Sequence, residues 1–357
     1  MFSSNNNKSQ AIIDLNKILY LIDWIEIKRM ETEFITNGWC FVLLPTELIP
    51  DLKLVNELSN FFESNDRKTK YSQIPPIYGY SKVNHKEGIK LLTGSYFGDF
   101  AYKGLVPAML VQPLNYLSQV LDTITKRLIE ILDQHLIFQQ KSSLSSLIKY
   151  ADLPLEDEHF GMVDIVSYFN DKSGFKPPQY GQSTEEVNCV PHYDPGLFSI
   201  SILSTHEGLQ LLNMTNNEWI DGPLERNIGV IWLGEAASRV TQNRLKPGIH
   251  RVIYPQQAKH RLTLWYEVCT TEQLRNISAD SDDEPMDTGT VTFENLPESA
   301  SITVLPGEKK LDFLKRVEMA TGLSTSKMGP VLYQLEKHVI SYPTTSFQIK
   351  KTSYYSI

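Results

Sequence analysis

The sequence predicts a mostly β protein: a double-stranded β-helix, or jelly roll, flanked by N-terminal helices and followed by a small C-terminal α+β appendage. Two observations carry this. From Met162 onward, short runs rich in β-branched and aromatic residues follow one another (162–169, 197–203, 209–212, 228–233, 249–254 and 261–268), separated by turn pairs such as Asn216-Asn217, Asp221-Gly222 and Pro247-Gly248. With no helical stretch between them, such runs pack as two sheets. Upstream, Leu114, Leu117, Leu121, Ile124, Leu128 and Ile131 recur at helical spacing and form one apolar stripe.

The elements follow in order. A-I-I-D-L (11–15) reads as a first strand, and Lys28 to Thr36 as a helix stopped by Asn37-Gly38. W-C-F-V-L-L (39–44) is a buried strand closed by Pro45, and Leu54, Val55, Leu58, Phe61 and Phe62 mark a further helix. The region from Asp66 to Pro107 reads as loop-rich and aromatic, with Tyr71, Tyr78, Tyr80, Tyr96, Phe97, Phe100 and Tyr102 serving as packed loops or as a lid over a pocket. Residues 1–10 are a disordered N-terminus, 11–150 an N-terminal helical and lid region, and 151–270 the jelly-roll core. An acidic linker spans 271–290, and the appendage spans 291–357. In the appendage a strand (Ser301–Leu305), the Pro306-Gly307 turn and a stripe of Leu311, Leu314, Val317 and Ala320 suit a small separate module or an extension docked on the main domain.

Composition narrows the classes. The 357 residues carry a net charge of −8, with 41% hydrophobic and 21% charged residues, as in ordinary soluble proteins. The negative excess sits at Glu272, Asp280, Asp282, Asp283, Glu284, Asp287, Glu294 and Glu298, against Arg275 alone. The remaining chain is near neutral and lacks the dense basic surface that phosphate backbones need, so no nucleic-acid partner is expected. Cys40, Cys189 and Cys269 share no metal-type spacing, which implies a reducing, cytoplasmic setting. The apolar run 11–25 is broken by Asp14, Asn16, Lys17 and Asp23, so neither a signal segment nor a membrane span is expected.

The chemistry gathers between Val190 and Val268. In V-P-H-Y-D-P-G-L-F-S, His192 and Asp194 stand two apart, and on a strand such residues share one face and can reach one ion. His250, opening another β-rich run, offers the third ligand. Two imidazoles and a carboxylate leave open positions on a ferrous ion, as non-haem iron oxygenases require. On the last strand Arg261 and Thr263 share one face, while Leu262, Leu264, Tyr266 and Val268 share the other. An arginine in so apolar a strand needs a polar partner. That partner is an acidic neighbour or a carboxylate ligand clamped by two parallel hydrogen bonds, with the Thr263 hydroxyl as an added donor. His260 competes with His250 but points to the opposite face. His85, His135, His159, His206 and His338 have no partner at ligand spacing, and Glu156-Asp157-Glu158 reads as a solvated loop.

These residues and their surroundings resemble the 2-oxoglutarate and Fe(II)-dependent dioxygenase superfamily in its isopenicillin N synthase-like branch. The matching text is P-H-Y-D-P-G-L-F-S, G-L-Q-L-L (208–212), N-R-L-K-P-G-I-H-R-V (243–252) and R-L-T (261–263), with A-I-I-D-L, N-G-W-C-F-V and I-Y-G-Y-S (77–81) in the front half. The resemblance covers roughly residues 10–270. It implies that His192, Asp194 and His250 bind Fe(II), and that Arg261 and Thr263 bind the distal carboxylate of 2-oxoglutarate. With O2 as co-reactant, a small-molecule substrate would then be hydroxylated or desaturated with release of succinate and CO2. The branch often carries Asn-Tyr-Tyr before the H-x-D, the second tyrosine touching the cosubstrate. Here the corresponding residues are Ser167, Tyr168 and Phe169, so that hydroxyl is expected to be missing, and Tyr168 is kept as a cosubstrate-binding candidate. Two other readings stand beside this one. One is a non-haem iron oxidase of the same fold that does not use 2-oxoglutarate. The other is a non-catalytic binding protein whose acidic linker and appendage recruit a protein partner.

Overall fold

The computed structural model describes residues 11–64, 67–72, 78–83, 86–135, 144–145, 161–169, 187–194, 196–254, 260–269, 290–292 and 301–309, with Asp312, Phe313, Arg316 and Met319. The expected N-terminal tail, the acidic run at 156–158, most of the acidic linker and the appendage's helical stripe lie outside the described residues.

The chain opens with β1 (Ile12–Asp14), α1 (Leu15–Leu21) and α2 (Trp24–Thr36). Both helices start where an aspartate accepts backbone N–H groups: Asp14 from Asn16 and Lys17, and Asp23 from Ile25 and Glu26. α2 ends before Gly38, whose φ of +76° favours glycine and where a Cβ would meet the Pro247 backbone at 2.5 Å. Then come β2 (Trp39–Leu43), α3 (Leu52–Glu63), β3 (Gly79–Val83), β4 (Lys86–Leu92), α4 (Ser95–Tyr102) and α5 (Ala108–His135). α5 buries the expected stripe and packs on α1 and α3. The segment read as loop-rich is therefore largely ordered into a hairpin and a helix. Tyr78, Tyr80, Phe97 and Phe100 are core residues.

The jelly roll comprises β5 (Gly161–Phe169), β6 (Val187–His192), β7 (Phe198–Ser204), β8 (Leu209–Asn213), β9 (Glu218–Asp221), β10 (Ile228–Leu233), the short α6 (Glu235–Val240), β11 (His250–Ile253) and β12 (His260–Val268). Eight strands form a large sheet in the order β1-β2-β10-β7-β12-β5-β4-β3, and four form a small one, β6-β11-β8-β9. Strands from both sides of residue 150 share the large sheet. Apart from the parallel pair β1–β2 the pairings are antiparallel. Past the core, β13 (Thr290–Thr292) and β14 (Ser301–Thr303) pair with each other.

Candidate metal centre and cosubstrate pocket

The small sheet brings the two histidines together. His250 at the start of β11 pairs directly with His192 at the end of β6, and their ring centroids are 4.2 Å apart. Asp194 lies two residues beyond the end of β6, in the connection crossing to the large sheet rather than in the strand itself. Its Oδ1 stands 3.7 Å from His192 Nε2 and 3.8 Å from His250 Nε2. All three side chains are buried, and their ligand atoms fall within 4.8 Å of one another.

The surrounding hydrogen bonds prepare each ligand atom. His192 Nδ1 is 2.7 Å from the Val190 carbonyl and His250 Nδ1 is 3.1 Å from the Gly248 carbonyl. A carbonyl only accepts, so each ring carries its proton on Nδ1 and turns the Nε2 lone pair inward. Asp194 Oδ2 accepts from Ser199 Oγ at 2.9 Å and Trp232 Nε1 at 2.7 Å, while Oδ1 faces the imidazoles. The Trp232 ring also packs 4.7 Å from His250. The backbone is held as well, with Glu235 N donating to Asp194 O at 2.7 Å and Gly234 N to Leu197 O at 2.9 Å. Gly234 permits this close approach, since a Cβ there would meet the Gly196 carbonyl oxygen at 2.1 Å. Such a donor set suits a divalent ion with open coordination positions.

The same cavity extends along the large sheet to Arg261, Thr263 and Tyr168. Arg261 is 1% exposed, and its Nε donates to Ser204 Oγ at 3.1 Å and His206 O at 3.2 Å. Its buried Nη1 has no hydrogen-bond partner among the described residues. Burial lowers its pKa to about 10, which still leaves it a cation at neutral pH. A buried guanidinium with an unspent donor fits a carboxylate.

Thr263 lines the pocket, but its hydroxyl donates to the Leu203 carbonyl at 2.9 Å, so the added donor expected there is already committed. The candidate Tyr168 also lines this pocket. β5 pairs with β12 so that Tyr168 stands opposite Arg261, and the Tyr168 ring centre is 5.3 Å from Arg261 Cζ. Burial raises the Tyr168 hydroxyl to about 12, so it is a neutral donor. His260, by the alternation of β12, belongs to the other face and is not among the pocket-lining residues. Ser199, Trp232, Lys86 and Asp164 were not singled out from the sequence. Only the alternation Asp164-x-Val166-x-Tyr168 could have pointed to one of them.

A sequence model of the 2OG-Fe(II) oxygenase superfamily matches residues 165–270, which hold every one of the predicted site residues. Over that stretch the chain is similar to the 2OG-Fe(II) oxygenase superfamily. Its relatives include the 2-oxoglutarate-dependent dioxygenase citB of Monascus ruber, 36% identical over 68 residues, covering 19% of this chain. That match spans only 21% of the relative's length. Two solved structures share the fold. JOX2 in complex with 2OG, Fe and JA superposes with a TM-score of 0.58 at 15% identity, covering 92% of this chain and 88% of that one. The dioxygenase for auxin oxidation in rice gives 0.57 at 14% identity, covering 90% and 98%.

Proposed function

We propose that this protein is a 2OG-Fe(II) dioxygenase that oxidises a small-molecule substrate at a C–H bond, by hydroxylation or desaturation, using His192, Asp194 and His250 to hold iron. The observation that carries this is the pair of Nε2 atoms and one carboxylate oxygen converging in a buried site. Every other polar atom of those ligands is already hydrogen-bonded. When bound, Fe(II) with 2-oxoglutarate and O2 supplies the oxidising power, coupling decarboxylation of the keto acid to oxidation of the substrate.

The chain's own groups do the rest. The two Nδ1–H bonds fix the imidazole tautomers, and Ser199 with Trp232 holds Asp194 aimed. Arg261 takes the distal carboxylate of the keto acid, with the Tyr168 hydroxyl beside it. The walls of the cavity come from both sheets. The JOX2 complex holds 2OG and Fe, in agreement with this ligand pair.

The finer branch, isopenicillin N synthase-like, is supported by the Arg-x-Thr of β12 and the β1–β2 opening. Three buried free cysteines fit a reducing, cytoplasmic setting. Among the described residues no helix is long and apolar enough to cross a membrane. We assign residues 291–357 to an appendage outside the catalytic unit, suited to a protein partner. Purified chain reconstituted anaerobically with Fe(II) should release succinate from 2-oxoglutarate on admission of O2. Failure to bind iron would leave only a binding protein on this fold, and O2 uptake without succinate would indicate an oxidase.

A further inference from the structure

The arginine end of the pocket is one transverse row on the large sheet. Register sets Arg261 of β12 opposite Tyr168 of β5, and Tyr168 opposite Lys86 of β4. The next row facing the pocket is Thr263, Val166 and Gly88, and the one after it is Trp265, Asp164 and Lys90. Successive rows, two residues apart, are separated by about 6.6 Å. Lys86 therefore lines the cavity at the arginine end, two rows from Asp164. Adjacent strands are about 4.8 Å apart, so the backbones of Lys86 and Arg261 stand roughly 10 Å apart with Tyr168 between them. Two long cationic side chains on one face converge readily over that span.

Two further observations point the same way. After burial, the charge of Lys86 is the largest influence on the Tyr168 hydroxyl, ahead of that of Arg261, in keeping with its place opposite Tyr168 in the register. Lys86 also lies outside residues 165–270, the part this chain shares with its superfamily. The shared region supplies Arg261, whereas the β3–β4 hairpin supplies the lysine.

We propose that Lys86 completes an anion cradle with Arg261 and Tyr168 that holds the distal carboxylate of 2-oxoglutarate. A carboxylate offers about four lone-pair positions, more than one guanidinium edge fills. Tyr168 donates one hydrogen bond between the two cations, and Lys86 closes the side of the ligand away from Arg261. The inference rests on the cosubstrate reading given above.

The test is calorimetric titration of the Fe(II)-loaded protein without O2, using two keto acids. One is 2-oxoglutarate. The other is 2-oxopentanoate, which keeps the chelating end and carries a methyl group in place of the distal carboxylate. Lys86→Met should weaken 2-oxoglutarate about tenfold, the lower range for a charge-assisted contact because Lys86 is partly exposed. It should leave 2-oxopentanoate within about twofold, and Lys86→Arg should restore most of the loss. Equal weakening of both keto acids would make Lys86 a merely structural residue, and no weakening would remove it from the site. Either result overturns the proposal. Arg261→Met separates the two levels. If it weakens 2-oxoglutarate while Lys86→Met does not, the cradle fails alone. If neither matters, the cosubstrate reading fails with it.

Discussion

Replacing Trp232 by phenylalanine tests how the iron site is built. The substitution keeps an aromatic ring beside His250 but removes the indole N–H that reaches Asp194 Oδ2 at 2.7 Å. Asp194 is 1% exposed, so bulk water reaches it poorly, and Ser199 is the other donor described on that oxygen. A hydrogen bond to a buried charge contributes about 1.5–3 kcal/mol. In the metal-free protein the carboxylate can escape much of that cost by taking up a proton or turning. With iron bound it must remain ionised and aimed, so the cost falls on metal affinity. At about 1.4 kcal/mol per tenfold, Fe(II) should bind roughly 10- to 100-fold more weakly, the range expected for partners of metal ligands. Anaerobic competition against a chelator of known affinity measures this, with thermal unfolding of the metal-free protein as the control. If iron affinity stays within twofold of the parent, or falls only in step with unfolding, Trp232 does not orient Asp194 and the argument is wrong.

Other outcomes follow from the same geometry. His192→Ala should abolish iron-dependent succinate release, and retained activity would remove that residue from the metal site. Arg261→Ala should raise the 2-oxoglutarate concentration needed for half-maximal turnover by about tenfold or more, since a buried charge-assisted contact is lost. An unchanged requirement would point to another cosubstrate. The affinity for 2-oxoglutarate should be level through neutral pH and decline above about pH 10, as Arg261 loses its proton, because its pKa is lowered by burial to about 10. Titrations at stepped pH check this, and a decline already near pH 8 would contradict it. Gly234→Ala drives a Cβ into the Gly196 carbonyl at 2.1 Å and should cost about 2–3 kcal/mol in denaturant unfolding while loosening Asp194.

The parts of the site that could be read in advance were those written into single strands. Arg261 and Thr263 declared themselves because β12 alternates cleanly, and His192 and His250 because their types and setting are uncommon. The pairing of β6 with β11 is long-range and carries no local mark, so the meeting of the imidazoles had to be seen in three dimensions. β4 escaped because charges interrupt it on both faces. Lys86 and Lys90 share the side of the pocket, while Glu87 on the other side is bound by Lys68 and Tyr80. A buried, satisfied group such as Glu87 with Lys68 and Tyr80 looks like a solvent-exposed loop in a one-dimensional pattern. The text alone keeps Tyr168 as a candidate, and its place opposite Arg261 comes only from the pairing of β5 with β12.

Asp194 sits in the crossing between the two layers, with one oxygen turned to the histidines of the small sheet and the other tied to Ser199 and Trp232 of the large one. A cation seated there would act as a rivet through both leaves of the sandwich. Loading the protein with iron should therefore slow amide hydrogen exchange along β6 and β11 and along β7 and β10 together. Each leaf would feel the ion, although only one of them supplies its imidazoles.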